Sequence, residues 1–192
     1  MGDIINMSIL YWQEFRDVAA PMSRLVHWLR GYLHLLGRAV VLDIDDTCMH
    51  MHRGRRWRVD PYILGLYRFL VQNDFYVFFV TARTFSEKNH SGTLRQLRHM
   101  GYTQCNGLFL MPDTITKTIQ AIAAFKRAVR VHVQQTSLVT ILLNIGNMWH
   151  DLTILESIQS DPGLVYTVKF EGDDSSLLHL KVPAKKNYVG VD

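Results

Sequence analysis

The stretch Ala39-Val40-Val41-Leu42-Asp43-Ile44-Asp45-Asp46-Thr47 decides how this chain folds. A short apolar run with β-branched residues reads as a strand buried on both faces, the habit of a parallel sheet. The run stops at two aspartates one residue apart, followed by a threonine. In an open α/β sheet, ligands bind at the carboxyl ends of the strands. Two carboxylates placed there are costly to keep ionised unless a cation or a hydrogen-bond donor compensates them. The plain alternative is an Asp-rich turn after a strand. A calcium loop of the EF-hand kind is excluded: its sixth position holds Cys48 instead of glycine, and its twelfth holds Gly54 instead of glutamate.

Working outward, the spacing predicts helix from about Ile9 to Leu36, interrupted at Pro21 and capped anew by Ser23. A loop rich in arginine follows the first strand, over His50 to Asp60. Pro61 then opens a helix to about Val71. Phe75 to Val80 reads as a second buried strand, and Ser86 to Met100 as a helix closed by Gly101. Leu108 to Leu110 makes a short third strand. A long helix is expected over Thr114 to Val133, with Ile115, Ile119, Ile122, Phe125 and Val129 along its buried stripe. Leu138 to Ile145 is the fourth strand, Trp149 to Ile158 a further helix, and Leu164 to Val168 a fifth strand. Leu180 to Val182 and Tyr188 to Val191 are placed as a tail wrapping the sheet edge. Strands alternating with helices predict an α/β chain with a doubly wound, mostly parallel five-stranded sheet.

The 192 residues suit one domain: a helical extension over 1–37, a core over 38–170 and a tail over 171–192 packed on that core. A formal charge of +4 favours anionic partners without naming them. With only Cys48 and Cys105, no disulfide framework is expected and a reducing compartment is implied. No secretory signal is visible at the start. Met1-Gly2 fails as a myristoylation signal because Asn6 replaces the needed hydroxyl residue. Leu25 to Leu36 is too short and too charged to span a membrane. These features predict a cytoplasmic protein that does not engage membranes.

If Asp43 ends one strand, the other strand ends should offer groups suited to a phosphate. The second runs into Thr81-Ala82-Arg83, where a hydroxyl and adjacent backbone amides can donate to phosphate oxygens. The fourth runs into Gly146-Asn147-Met148-Trp149-His150-Asp151, a glycine for a sharp turn and a carboxylate at a helix start. Lys126 lies in the long helix, where most lysines face solvent.

The order Asp-x-Asp, Thr, Lys, Gly-Asn-x-x-x-Asp resembles the four motifs of the haloacid dehalogenase (HAD) superfamily. The finer resemblance is to its class B acid phosphatase group, which includes plant vegetative storage proteins. It rests on Asp43 to Thr47, Thr81-x-Arg83, Gly101-Tyr102 leading to Leu110-Met111-Pro112, Phe125-Lys126 before Arg130, Gly146 to Leu152, and Leu180 to Pro183 with Tyr188. The resemblance implies a Rossmannoid three-layer fold with at most a small cap. It also implies an Mg²⁺-dependent phosphomonoesterase working through an aspartyl-phosphate. Asp43 would be the nucleophile and Asp45 the general acid and base. Lys126 would spread positive charge over the reacting groups. Thr81, with the neighbouring Ala82 and Arg83, would bind phosphate. Asp43, the Asp45 carbonyl, Asn147 and Asp151 would hold Mg²⁺.

One position departs from the pattern. Asn147 stands where the family usually has a metal-binding aspartate, and an amide brings no negative charge. Two classes of function therefore fit the sequence, a phosphatase acting on nucleotides or other small phosphate monoesters, and a weakly active or inactive binding module. Arg53, Arg55, Arg56 and Arg58 around Trp57 could grip a polyanion and stack a base, or be a solvated basic loop. Arg55 and Arg56 are thus candidate substrate contacts, and nucleic acid is a second candidate substrate through a terminal phosphate. His50-x-His52 has no further ligands spaced to complete a zinc site.

Overall fold

The structure is a computed structural model that describes residues 25–27, 29–52, 56–148, 151 and 178–181. The expected cap at Ser23, helix over Trp149 to Ile158, strand over Leu164 to Val168, and tail segment over Tyr188 to Val191 lie wholly or almost wholly outside the described residues. Leu25–His27 and Leu29–Arg30 are helical, and residues 31–37 form turns, so the helix ends short of the expected Leu36. The chain then enters β1 (Arg38–Leu42), a hairpin of β2 (Met49–His52) and β3 (Arg56–Val59), and helix α1 (Pro61–Gln72). There follow β4 (Tyr76–Thr84), α2 (Glu87–His99), β5 (Gly107–Met111), α3 (Ile119–Ser137), β6 (Thr140–Gly146) and β7 (Leu178–Lys181).

The main sheet has the order β5-β4-β1-β6-β7, and every pairing in it is parallel. The chain leaves the central β1 for β4 and β5 on one side, then crosses to β6 on the other. The carboxyl end of β1 is therefore the switch point where such sheets bind ligands.

Alternation along β1 explains its unbroken apolar run. Val40 and Leu42 face a core shared with Leu25, Leu29, Ile63, Leu66, Tyr67, Leu70 and Leu97, while Ala39 and Val41 face Val129, Val133, Val139 and Ile141. Helices α1 and α2 thus cover one face and α3 the other, giving three layers. Each of these aliphatic side chains, fully withdrawn from water, contributes on the order of 1.5–3 kcal/mol. Local chemistry sets the helix starts. Asp60 caps α1 by accepting from the amides of Tyr62 and Ile63, with Pro61 in the first turn. Ser86 and Thr118 cap α2 and α3 in the same way. Gly101, at φ +95°, terminates α2 in a conformation that favours glycine.

Three expectations need correction. The loop over His50 to Asp60 is an antiparallel hairpin in which Met49 pairs with Val59 and His52 with Arg56. The long helix begins at Ile119, so Ile115 precedes it, and its buried face carries Ala123, Lys126, Val129, Arg130 and Val133. Ile115 and Ile119 are exposed. An apolar stripe misplaces this face because the helix turns a lysine and an arginine inward. Within the expected tail lies β7, the fifth strand of the main sheet among the described residues, which pairs Leu178 with Leu143 and Leu180 with Ile145. Part of the expected tail is therefore a sheet edge.

Candidate active site

Directly after β1 the chain makes a tight loop. The carbonyl of Ile44 accepts from the amides of Thr47, Cys48 and Met49 at 3.4, 3.0 and 3.2 Å. Asp46 sits at φ 58°, a left-handed conformation that aspartate tolerates better than most residues. The loop folds Thr47 back beneath the first aspartate, where its hydroxyl donates to Asp43 Oδ2 at 2.9 Å. Thr47 Oγ1 also lies 3.4 Å from Asn147 Oδ1. Cys48 donates to the Asp43 carbonyl, and Tyr102 donates to the Cys48 carbonyl. Burial pushes the Cys48 thiol well above its usual pKa, so it is a structural donor and a poor nucleophile.

The Asp43 amide donates to the Ile145 carbonyl at 2.9 Å, which brings the ends of β1 and β6 level. Lys126 reaches the same place from α3. Its ammonium is 2.5 Å from Asp43 Oδ1 and 2.6 Å from Asp151 Oδ1, and all three side chains are buried. The other Asp151 oxygen accepts from the Met148 amide at 2.7 Å. Buried Arg130, one helical turn beyond Lys126, donates to the Asp151 carbonyl at 3.0 Å. Burial, and next the charge of Asp151, push the Asp43 carboxyl up to about 7 despite the pull of Lys126. Burial would lower Lys126, but Asp43 and Asp151 outweigh it and raise the ammonium above its ordinary value.

Gly146 makes this geometry fit. A Cβ there would lie 2.3 Å from Asp151 Cβ and 2.8 Å from Asp151 Oδ2. The glycine gives room for Asp151 to approach the strand, where the sequence read only a sharp turn.

Asp45 faces a different set of partners. Arg83 donates to both of its oxygens, with Nη2 at 2.7 Å from Oδ1 and Nε at 2.9 Å from Oδ2. Thr81 adds its hydroxyl at 3.3 Å. The far edge of the Arg83 guanidinium is held by Gln96 at 2.7 Å and Thr93 at 3.2 Å, both on α2. Trp57 lies against its face, with the guanidinium carbon 5.4 Å from the ring centroid. Arg83 is thus committed to Asp45, and Ala82, beside it, is half-buried. From the hairpin, Trp57 is the side chain that meets the site. Arg56 and Arg58 alternate with it and are exposed, while Arg55 lies outside the described residues.

The structure therefore joins Asp43, Lys126 and Asp151, links Asn147 to Asp43 through Thr47, and gathers Thr81 and Arg83 around Asp45. Sequence reasoning gave no role to Thr47, Thr93 or Gln96 and missed the clamp made by Arg130. The threonine two residues after the second aspartate and the arginine four residues after the lysine were visible signals for two of them. Among the described residues no three or more His, Cys, Asp and Glu side chains gather as a metal cage. The candidate cation donors are instead two carboxylates and an amide. No helix of the described residues is long and apolar enough to cross a membrane.

A family model described as HAD superfamily, subfamily IIIB (Acid phosphatase) matches residues 51–163. No curated protein is similar enough to count as a match. Among solved structures, the class C acid phosphatase from Bacillus anthracis with tungstate bound is similar at a TM-score of 0.56 and 15% identity, over 78% of this chain and 70% of that one. A second structure of the class C acid phosphatase from Bacillus anthracis gives 0.54 and 16%, over 75% and 68%. The Pnkp1/Rnl/Hen1 complex gives 0.52 and 10%, over 79% of this chain and 47% of that one. At these identities the structural likeness concerns the fold, which agrees with the family match. The chain belongs to the HAD superfamily, subfamily IIIB of acid phosphatases, and is a phosphatase.

Proposed function

We propose that this chain is a Mg²⁺-dependent phosphomonoesterase that works through an aspartyl-phosphate on Asp43. The observation that carries the proposal is the Lys126 ammonium, buried and bonded to both Asp43 and Asp151 at the end of β1. A lysine so placed neutralises charge at the point where a phosphoryl group would be attacked, which is where stabilisation counts most.

A carboxylate oxygen of Asp43 attacks phosphorus, and the ester P–O bond breaks. Asp45 gives its proton to the departing oxygen, then takes one from the water that attacks the aspartyl-phosphate. Inorganic phosphate leaves and Asp43 is restored. In the observed arrangement Asp45 is paired with Arg83, and its side chain is 42% exposed, so it can swing toward a leaving group. Arg83 is a positioning residue that parks Asp45 at the rim. The Thr81 hydroxyl is within 3.3 Å of Asp45 and turns to a phosphate oxygen when Asp45 moves.

The donor set suits a hard divalent cation. Asp43 Oδ2 and Asn147 Oδ1 both approach Thr47 Oγ1, and no nitrogen or sulfur ligand stands among them. Asp43, Asn147, Asp151 and the Asp45 carbonyl would hold Mg²⁺, which would neutralise phosphate charge. The kept Asp43–Lys126–Asp151 cluster and the family membership favour a working enzyme over the non-catalytic module. Small phosphate monoesters, nucleotides among them, are the proposed substrates.

The test is turnover of an aryl phosphate with and without Mg²⁺, by wild type and Asp43→Asn. Activity that needs Mg²⁺ and is lost in Asp43→Asn is expected. Undiminished activity in the variant would overturn the proposal.

A further inference from the structure

Next to Arg83, the partner of Asp45, lies an open groove of about 520 Å³ whose lining includes Arg83, Lys88, Gly92, Thr93, Arg95 and Gln96. Its wall is one face of α2: Lys88, Gly92, Arg95 and Gln96 fall at the spacing that stacks side chains along a helix. Asn89 also lines the groove and ties the helix start to β4 by donating to the Thr84 carbonyl at 2.8 Å. Gly92 brings no side chain into the space.

The charge of this groove is unbalanced. Arg83 is matched by Asp45, but among the described residues neither Lys88 nor Arg95 has an acidic partner. Among the described residues no carboxylate lines the groove, and Glu87 stands outside its lining on the first turn of α2. Cations lining a concave surface focus field and concentrate anions there. Arg83 belongs to both places, since one edge holds Asp45 and the other, through Gln96 and Thr93, forms the groove wall.

We propose that this groove binds a second phosphate of the substrate, so that small bisphosphates are preferred over simple monoesters. The inference rests on the phosphatase reading above, because the first phosphate would sit at Asp43. A compact dianion fits better than a nucleic-acid strand. Arg56 and Arg58 project from the face of β3 opposite Trp57, the residue that meets Arg83, so among the described residues neither of these arginines extends the groove's charge along the hairpin.

The experiment compares propanediol bisphosphate, propyl phosphate and an aryl phosphate as substrates for wild type and for Lys88→Ala/Arg95→Ala. Both replaced residues are exposed, so the fold is kept. Two exposed charge contacts together account for about tenfold in affinity. Wild type should therefore favour the bisphosphate over propyl phosphate about tenfold in kcat/KM. The double variant should lose that preference through KM while turning over the aryl phosphate as before. Salt should erode the preference, since exposed charges are screened beyond about 10 Å at 0.1 M. A bisphosphate preference that is absent, or that survives the double substitution, overturns the proposal. So does a preference confined to a 5′-phosphorylated oligonucleotide. The phosphatase reading fails separately, if wild type leaves the aryl phosphate untouched. The groove is then judged by calorimetry of the bisphosphate with the Asp43→Asn protein, where adding the double substitution should weaken binding about tenfold and equal binding refutes it.

Discussion

Replacing Gly146 with alanine exchanges a hydrogen for a methyl group at the most crowded point of the site. The new Cβ would stand 2.3 Å from Asp151 Cβ, roughly 1 Å inside ordinary van der Waals contact. The obstacle is no flexible side-chain tip: Asp151 Cβ is fixed by its own backbone, whose carbonyl is clamped by Arg130. Asp151 must therefore retreat by about 1 Å, and it is held by bonds of 2.6 Å to Lys126 and 2.7 Å from the Met148 amide, neither of which survives that shift. Overpacking of this size costs about 1–3 kcal/mol of stability. A misplacement of about 1 Å in a catalytic constellation costs on the order of 10²-fold in rate. Urea denaturation measures the first effect, and kcat/KM for an aryl phosphate at saturating Mg²⁺ measures the second. Asp151→Gly in the Gly146→Ala background removes the opposing Cβ and should recover part of the stability but none of the rate. A Gly146→Ala protein with wild-type stability and wild-type kcat/KM would refute the account of this glycine.

Other perturbations separate parts of the same picture. In chelator, Asp43 titrates near 7 in the folded chain against 3.8 as the ordinary value, so its stabilising contribution is full below about pH 4 and is lost as pH rises through about 7. The thermal stability of Asp43→Asn relative to wild type should therefore increase between pH 4 and 8, and a flat difference contradicts the burial argument. Asn147→Asp places a charged oxygen where an amide now approaches Thr47, and charge-assisted contacts are roughly twice as strong as neutral ones. It should tighten Mg²⁺ in titration calorimetry and raise turnover at limiting metal, and unchanged Mg²⁺ affinity counts against Asn147 as a ligand. Leu138 is 87% exposed at φ 51°, a left-handed C-cap unfavourable to a leucine. Leu138→Gly should add roughly 0.5–1 kcal/mol in urea denaturation, and a loss of stability would show that the leucine packs.

The parts of the fold legible in sequence were those written in local pattern. The run from Ala39 to Leu42 is apolar because both faces are covered, and its abrupt end at Asp43 places the site at the switch point. Pro61, Ser86 and Gly101 mark helix boundaries through backbone chemistry that needs no tertiary context. The α3 face was misread because apolar spacing cannot tell a lysine turned inward by two carboxylates from one in solvent. Lys126 is buried by Asp43, 83 residues away, and by Asp151, 25 residues away. The same limit hid the clamp on Arg83, which needs Asp45 from β1 and Gln96 from α2 to meet. The hairpin was read as a loop because Met49 to Val59 is short and dense in charge, and its pairing is set by the strands' own backbone rather than by an apolar face.

The central claim is a covalent bond between Asp43 and phosphorus. Acid-quenching the wild-type enzyme during turnover of an aryl phosphate with Mg²⁺, followed by peptide mass spectrometry, tests it directly. The account predicts a phosphorylated peptide with the label on Asp43, absent from the Asp43→Asn protein. Steady turnover with no phosphopeptide, or a label on another residue, would contradict it.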